Sequence, residues 1–416
     1  MDALKRYVHT LSLFSRDAKL YLLSNMLISL VNYGGIVTVL ANLYLLRLGY
    51  NTKAIGLING VAPLAYALFA PVAGWLGGRF DIRRIMLIGL FVTMSGTLLF
   101  SITQHVPAAW QFGWLIATWT AMGLGLALFW VNSSPFLMSA TTPPERNHVF
   151  SMSSALAPIA NFSGSIIAGI TPGLFALALH TSLDDPAPFR YALALAGALT
   201  IPSILAMLPT RSVRLRKERS DPTETEPLPV ALIGVIALVG MLQIVGEGVA
   251  RTFFNVYLDA GLHVSTAHIG TLMGVARLMG VPAALMMPLV AARWGNGYTT
   301  ILGTLGSALF LLPLALVPHW LGAGLGFMGA TAWMAIRRPA FTVYTQESVP
   351  RRWRAAMSGA TNLAAGAGIA LASIGGGYLI PILGYRGLFL FGASLSTLGA
   401  MLFWICFCRP HWGTRD

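Results

Sequence analysis

Ile55-Gly-Leu-Ile-Asn-Gly-Val-Ala-Pro-Leu64 and Ile269-Gly-Thr-Leu-Met-Gly-Val-Ala-Arg-Leu278 decide how this chain is read. Six of the ten positions are identical, at a constant offset of 214 residues. The same offset pairs Gly34 with Gly248 and Arg79 with Arg293. A near offset pairs Asn42-Leu-Tyr-Leu45 with Asn255-Val-Tyr-Leu258, and Pro144-x-Arg146 matches Pro350-x-Arg352. Chance similarity between Gly- and Leu-rich segments does not reproduce matched spacing in several places. The chain therefore reads as two related halves.

Composition says what those halves are made of. Of 416 residues, 56% are hydrophobic and 10% are charged, against roughly 25% charged in an ordinary soluble domain. Mean hydropathy is +0.70. Such a chain cannot cover itself with polar atoms, so a soluble enzyme is excluded. Two cysteines exclude a disulfide scaffold, and the low polarity excludes disorder. An all-α polytopic membrane protein remains.

Apolar runs of about 20 residues cross a bilayer at about 1.5 Å per residue. Twelve transmembrane helices are expected, near 20–46, 54–77, 84–103, 110–138, 149–179, 189–208, 229–258, 266–292, 298–318, 320–345, 355–382 and 386–408. Residues 209–228, PTRSVRLRKERSDPTETEPL, form a charged linker. The domains expected are thus 1–208 and 229–416, a six-helix bundle on each side of that linker. The polar, basic start and the long first apolar run argue against a cleavable signal peptide.

The net charge of +13 raises nucleic acid as a partner. The position of the charges argues otherwise. With the N-terminus in the cytoplasm, 19 of the 27 Lys and Arg residues fall in cytoplasmic segments. Only Arg47, Lys53, Arg190 and Arg386 fall outside. That asymmetry is the positive-inside pattern of a membrane protein and leaves no basic excess for nucleic acid. Trp75, Trp110, Trp294, Trp320 and Trp353 sit near the expected span ends, where an amphipathic ring is favoured.

Two six-helix halves of the same in–out sense are parallel repeats. The loop after the second span reads Gly74-Trp-Leu-Gly-Gly-Arg-Phe-Asp-Ile-Arg-Arg84. It resembles the G-x-L-x-D-R-x-G-R-[RK] motif of the major facilitator superfamily, and the resemblance covers essentially the whole chain. Gly74, Leu76, Arg79 and Arg83 match. Gly78 stands at the motif's Asp and Asp81 at its second Gly. The second-half loop keeps Arg293 and Gly295 and again lacks the Asp. The resemblance implies a gating loop that locks the halves through charge pairs, with Asp81 the candidate replacement for the missing carboxylate. Gly164-Ser-Ile-Ile-Ala-Gly169 weakly resembles the family's antiporter motif, with Ser165 in place of its Pro. Gly123-x-Gly125-x-Ala127 resembles the drug–proton antiporter motif, with Trp119 in place of its basic residue. Both departures count against typical proton-driven drug efflux.

Charge within a bilayer is costly and marks function by default. Glu247 is the only acid deep in a span, and Arg251, Arg277, Arg337 and Arg338 are the deep basic residues. The first half offers Asn25, Asn32, Tyr33, Asn42, Asn59, Trp130 and Asn132 instead. The resemblance implies that the first, fourth, seventh and tenth spans surround a central cavity. Glu247 then reads as the proton-coupling group. Asn32, Tyr33, Trp130, Asn132, Arg251, Arg277, Trp333, Arg337 and Arg338 read as cavity residues. The bland alternatives are an ion pair of Glu247 with Arg251 or Arg277, arginines snorkelling to the interface, and tryptophans that only pack. Cys406-x-Cys408 without a nearby His is poor evidence for metal. No nucleotide loop, catalytic triad or metal cluster appears, so no enzyme activity and no cofactor are expected.

The expectation is a secondary transporter of the cytoplasmic membrane, working as a monomer on a small-molecule substrate. It would be driven by protons, contact membrane lipid, and export an amphipathic or anionic compound. Proton-coupled uptake of a small organic acid or sugar-like solute is the alternative. A non-transporting receptor or scaffold is a third.

Overall fold

A computed structural model describes residues 14–32, 34–212, 229–350 and 353–408. Tyr33 and most of the 209–228 linker lie outside the described residues. Among those described, the chain is helical and contains no strand. This is the all-α class expected, and the one a bilayer demands, because a helix satisfies its own backbone groups.

The first half of the sequence forms α1 (Arg16–Val31), α2 (Ile36–Arg47), α3 (Thr52–Arg79), α4 (Ile82–Ser101), α5 (Ala108–Ala140), α6 (Pro143–Leu179), α7 (Pro186–Ala198) and α8 (Ile201–Met207). The second half forms α9 (Val230–Val256), α10 (Thr266–Leu316), α11 (Trp320–Glu347) and α12 (Arg354–Phe403). Among the described residues, nine runs, some joining consecutive helices, are long and apolar enough to cross a membrane by length and composition. Two of these turn sharply at an internal glycine. α10 turns at Gly295 (φ 76°) and α12 at Gly384 (φ 66°), a left-handed backbone that glycine adopts at no steric cost. Each supplies two of the spans expected from sequence. α11, which carries Arg337 and Arg338, is 28 residues long but is not among the nine.

The helix starts follow the local chemistry. Ser15 caps α1, its Oγ accepting from Ala18 N at 3.1 Å. Asp185 caps α7, with Pro186 in the first turn. Thr142 and Glu145 form a reciprocal capping box on α6. The second oxygen of Glu145 also accepts from Ser15 N at 3.0 Å, so one buried carboxylate serves the starts of α1 and α6.

The described chain divides into two compact units. One comprises Met1–Gly49, Leu68–Pro222 and Thr266–Gly274. The other comprises Tyr50–Ala67, Thr223–Ser265 and Val275–Asp416. The first is centred on Tyr21, stacked on Phe129 at 6.2 Å between ring centres and packed beside Phe136. The second packs α9 against α12, and Phe254 of α9 stacks on Phe327 of α11 at 4.0 Å. Outward-facing Leu177, Leu285, Leu289 and Ile382 are exposed, as a lipid-facing surface requires.

The repeat that identified the two halves has a packing reason. In the second unit, Gly56 of α3 lies against α12. A Cβ there would come 2.3 Å from the Ser373 carbonyl oxygen. Thr52 Oγ1 donates to Gly377 O at 3.2 Å along the same seam. In the first unit, Gly270 of α10 lies against α6, where a Cβ would come 2.4 Å from the Ser165 carbonyl oxygen. Gly56 and Gly270 are the repeat's matched glycines. Each lets two backbones approach where any side chain would hold them apart.

Candidate functional site

Glu247 lies on α9 and is largely buried, its side chain 14% exposed. Arg338 of α11 donates through Nη2 to Glu247 Oε1. Glu247 Oε2 is buried and accepts no hydrogen bond among the described residues. The positive charges of Arg338, Arg251 and Arg337 all act on this carboxylate. Sequence spacing points to Arg251 or Arg277 as the ion-pair partner, because Arg251 stands one turn along the same helix. The structure records Arg338 instead, from a helix remote in sequence. Arg338 is still about half exposed, at 47%, so the pair has one buried end and one end open to its surroundings.

Arg337 behaves differently from its neighbour. It is only 3% exposed. Its Nη2 donates to Gln243 Oε1 at 2.8 Å and its Nε to Thr304 Oγ1 at 3.1 Å. Its guanidinium lies 5.1 Å from the Phe341 ring centre. Gln243 is tied in turn to α12, donating to Gly399 O at 3.3 Å. Among the described residues Arg337 makes no ion pair; neutral dipoles and a ring face hold it. This explains why two adjacent arginines, indistinguishable in the sequence, differ. One is an enclosed cation and the other is the half-exposed partner of Glu247. Gln243 was not among the residues singled out from sequence, since a lone Gln in an apolar helix gives no signal of its own.

A buried charge that loses a hydrogen-bonding partner costs more than the bond itself was worth. Gln243→Leu is therefore expected to destabilise the folded protein by about 2–3 kcal/mol. Thermal unfolding of the detergent-purified chain measures this. An unchanged melting temperature would mean that Arg337 does not depend on Gln243.

Trp333 packs half-buried beside Ala283, Met287, Ile336 and Ala340. Arg251 and Arg277 are half-buried in the same unit.

In the first unit, Asn132 is buried. Its Nδ2 donates to Leu128 O at 2.9 Å and to Ala73 O at 3.1 Å, joining α5 to α3. Trp130 packs at the edge of the Tyr21–Phe129–Phe136 cluster. Asn32 is buried at the end of α1, and its Nδ2 has no hydrogen-bond partner among the described residues.

The loop after α3 is also in the first unit. Gly74 and Arg79 are exposed, and the Arg79 guanidinium lies 5.3 Å from the Trp75 ring centre. Asp81 is 6% exposed. It caps α4 by accepting from Arg83 N at 3.1 Å, and it accepts from Ser212 Oγ at 2.9 Å. Arg84 Nε lies 3.7 Å away. Arg83 donates to the Leu208 carbonyl. Asp81 and Arg83 thus tie the start of α4 to the chain at and just after the end of α8. In the other unit, Arg293 is exposed, over the ring of its neighbour Trp294.

Known proteins share this architecture. The Major Facilitator Superfamily pattern matches residues 22–373. An uncharacterized MFS-type transporter of Mycobacterium tuberculosis is 24% identical over 360 residues, 84% of this chain and 80% of that protein. A putative sugar efflux transporter of Deinococcus radiodurans is 27% identical over 179 residues; the match spans 42% of this chain and only 43% of that relative. Among solved structures, the nucleoside transporter NupG superposes with a TM-score of 0.73 at 16% identity, covering 95% of this chain and 99% of that one. A D-xylose–proton symporter does so with a TM-score of 0.69 at 15% identity, covering 96% and 97%. At such identities the structures speak for the fold alone. The extent of the sequence match and the shared fold place this chain in a family of multi-pass membrane transporters: it belongs to the Major Facilitator Superfamily.

Proposed function

We propose that the protein is a proton-coupled secondary transporter of the cytoplasmic membrane, exporting an amphipathic or anionic organic solute, with Glu247 as its proton-carrying group. The observation that carries this reading is the Glu247–Arg338 pair. It is an ion pair that lies deep in the spans, and it joins two helices, α9 and α11, that the family resemblance puts around the substrate path. A carboxylate held by a half-exposed arginine can exchange that arginine for a proton when a solute anion takes the arginine over. Protonation and anion binding then favour one another, which carries the two in the same direction; export in exchange for protons requires instead a solute that competes with the proton for Glu247. Access alternates, on this reading, through the glycine seams. α3 with α12, and α6 with α10, meet at span ends that the Lys/Arg asymmetry puts outside. Each seam joins a helix of the first half of the sequence to one of the second, so opening outward requires both to part.

Flux in proteoliposomes under an imposed pH gradient tests the reading. Solute movement against the proton flow supports export. Movement with it supports uptake instead, and the absence of any gradient-dependent flux supports a receptor or scaffold. Reporter fusions test the orientation. Both termini and the 209–228 linker are expected in the cytoplasm, and an external linker would overturn the assignment.

The anionic preference has its own test. Arg holds a carboxylate through two parallel hydrogen bonds that Lys does not reproduce. Arg338→Lys is expected to weaken solute binding by about 1–3 kcal/mol. If it binds normally and neutral or cationic compounds compete best, the solute is not an anion.

A further inference from the structure

α3 and the first arm of α10 are repeat partners along their whole length. Thr52 matches Thr266 and Arg79 matches Arg293 at the offset of 214. Arg79 is the last residue of α3, and Arg293 stands two residues before the turn at Gly295. Both lie at ends that the Lys/Arg asymmetry puts at the cytoplasmic surface. The turns leading to each arginine carry one exposed face. On α3 it is Leu68, Val72, Trp75 and Arg79. On α10 it is Pro282, Met286, Leu289 and Arg293, the four matching positions. Spacings of four, three and four residues put each set on one side of its helix.

The other sides face protein. A Cβ on Gly77 would come 1.7 Å from Asn132 Oδ1, so that side of α3 is packed on α5. On α10, Ala283 and Met287 are buried with Ile336 and Ala340 of α11. Each exposed face therefore looks away from its own unit, and in a bilayer its apolar part meets acyl chains.

Rings, not acids, hold the two arginines. The Arg79 guanidinium lies 5.3 Å from the Trp75 ring centre and 6.0 Å from that of Phe80. The Arg293 guanidinium lies 5.4 Å from the Trp294 ring centre. Among the described residues neither arginine makes a hydrogen bond or an ion pair. Gly78 stands where the gating motif has its Asp, and the second-half loop lacks that Asp too. The carboxylate that is near, Asp81, is engaged with Arg83 N, Ser212 Oγ and Arg84. A ring takes only the face of a guanidinium. The N–H donors around the edge stay available, and their fork matches a phosphate.

We propose that Arg79 and Arg293 are repeat-related sites for the headgroup phosphate of an anionic phospholipid of the inner leaflet, whose acyl chains lie along the apolar stripe leading to each arginine. The stripe calls for an amphiphile, since a free phosphate would leave it uncovered. No carboxylate is recorded against either arginine to meet the cation of a zwitterionic head, so a head of net negative charge fits better. The proposal is independent of which solute is carried and in which direction.

The full chain, delipidated in detergent, is titrated with dioleoylphosphatidylglycerol, with dioleoylphosphatidylcholine, and with glycerol 3-phosphate as the anionic head without tails. Native mass spectrometry counts retained lipids, and thermal unfolding follows stabilisation. Phosphatidylglycerol should be retained at two sites, phosphatidylcholine at least about fivefold more weakly, and glycerol 3-phosphate should not stabilise. Arg79→Gln and Arg293→Gln should each weaken one site about fivefold, the worth of one basic residue at an anionic surface. The double variant should lose the preference. Trp294→Leu, which removes the ring under Arg293, should weaken one site as well. Arg84→Gln removes a basic residue that is 80% exposed and over no ring among the described residues, and should bind as wild type. Both stacked arginines are exposed, so melting temperatures without lipid should not change, and a loss then reads binding and not folding.

The proposal is overturned if phosphatidylcholine competes equally, if glycerol 3-phosphate stabilises as well as the lipid, or if the double variant keeps its preference. Wild-type binding in Trp294→Leu overturns it too. So does a loss in Arg84→Gln as large as in Arg79→Gln, because the attraction would then be one of diffuse surface charge.

Discussion

Glu247→Gln is expected to abolish pH-driven flux while leaving solute exchange intact. Exchange moves no net proton, whereas uphill movement requires a group that gains and loses one, and an amide cannot. The expected loss is complete within the sensitivity of a proteoliposome assay. Its structural cost is expected to be small. Removing one member of a fully buried pair costs about 3–5 kcal/mol, because the partner's charge is stranded. Arg338 is nearly half exposed, so loss of its partner does not strand a fully enclosed charge and the melting temperature should change little. The opposite pattern, normal gradient-driven flux with a large drop in stability, would make Glu247 a structural ion and end its coupling role. Intact flux with intact stability would end it as well.

The second large effect is expected at the seams. Gly56→Leu puts a side chain where a single Cβ already falls 2.3 Å from a backbone oxygen of α12. Backbone cannot rotate away as a flexible side chain can, so α3 and α12 must separate. Overpacking of this kind costs about 1–3 kcal/mol. If the seam closes in only one of two conformations, that energy shifts their populations by about 5–150-fold away from the closed one. Gly270→Leu, its repeat partner, should act in the same direction on α6 and α10. Spin-label distances between residues at the outer ends of α3 and α12 would measure the shift. Unchanged distances with normal folding would remove the seam from the transport cycle.

Much of this architecture was legible in the sequence because its physical causes are periodic or compositional. Long apolar runs, short connectors and the asymmetry of Lys and Arg give a polytopic helical protein directly. The Ile55–Leu64 repeat gives the pairing of halves, and in the structure its glycines are the close-packing positions. The interruption of the first span was not anticipated. Asn32-Tyr33-Gly34-Gly35 is a recognisable helix-breaking run, but apolar residues on both sides conceal it in a search for uninterrupted hydrophobicity. Site geometry was less legible still. Pairing within one helix follows from spacing, so Arg251 was the natural neighbour for Glu247. The recorded contact with Arg338 depends on how α9 and α11 pack, which no local pattern encodes. Asp81 stands at the glycine of a gating motif in sequence, whereas its bonds to Arg83 N and Ser212 Oγ show it capping a helix and tying down the chain just after α8.

The caged cation of α11 bears on how the protein is made. On insertion scales an arginine at a helix centre costs about 2.5–3.5 kcal/mol, so residues 320–347, with two of them, are a poor client for the translocon on their own. The groups that offset this cost, Gln243, Glu247 and Thr304, are all synthesised earlier, on α9 and the second arm of α10. The tenth segment should therefore wait at the translocon until those helices are at hand, and enter the lipid with them as one assembly rather than in simple order of emergence from the ribosome.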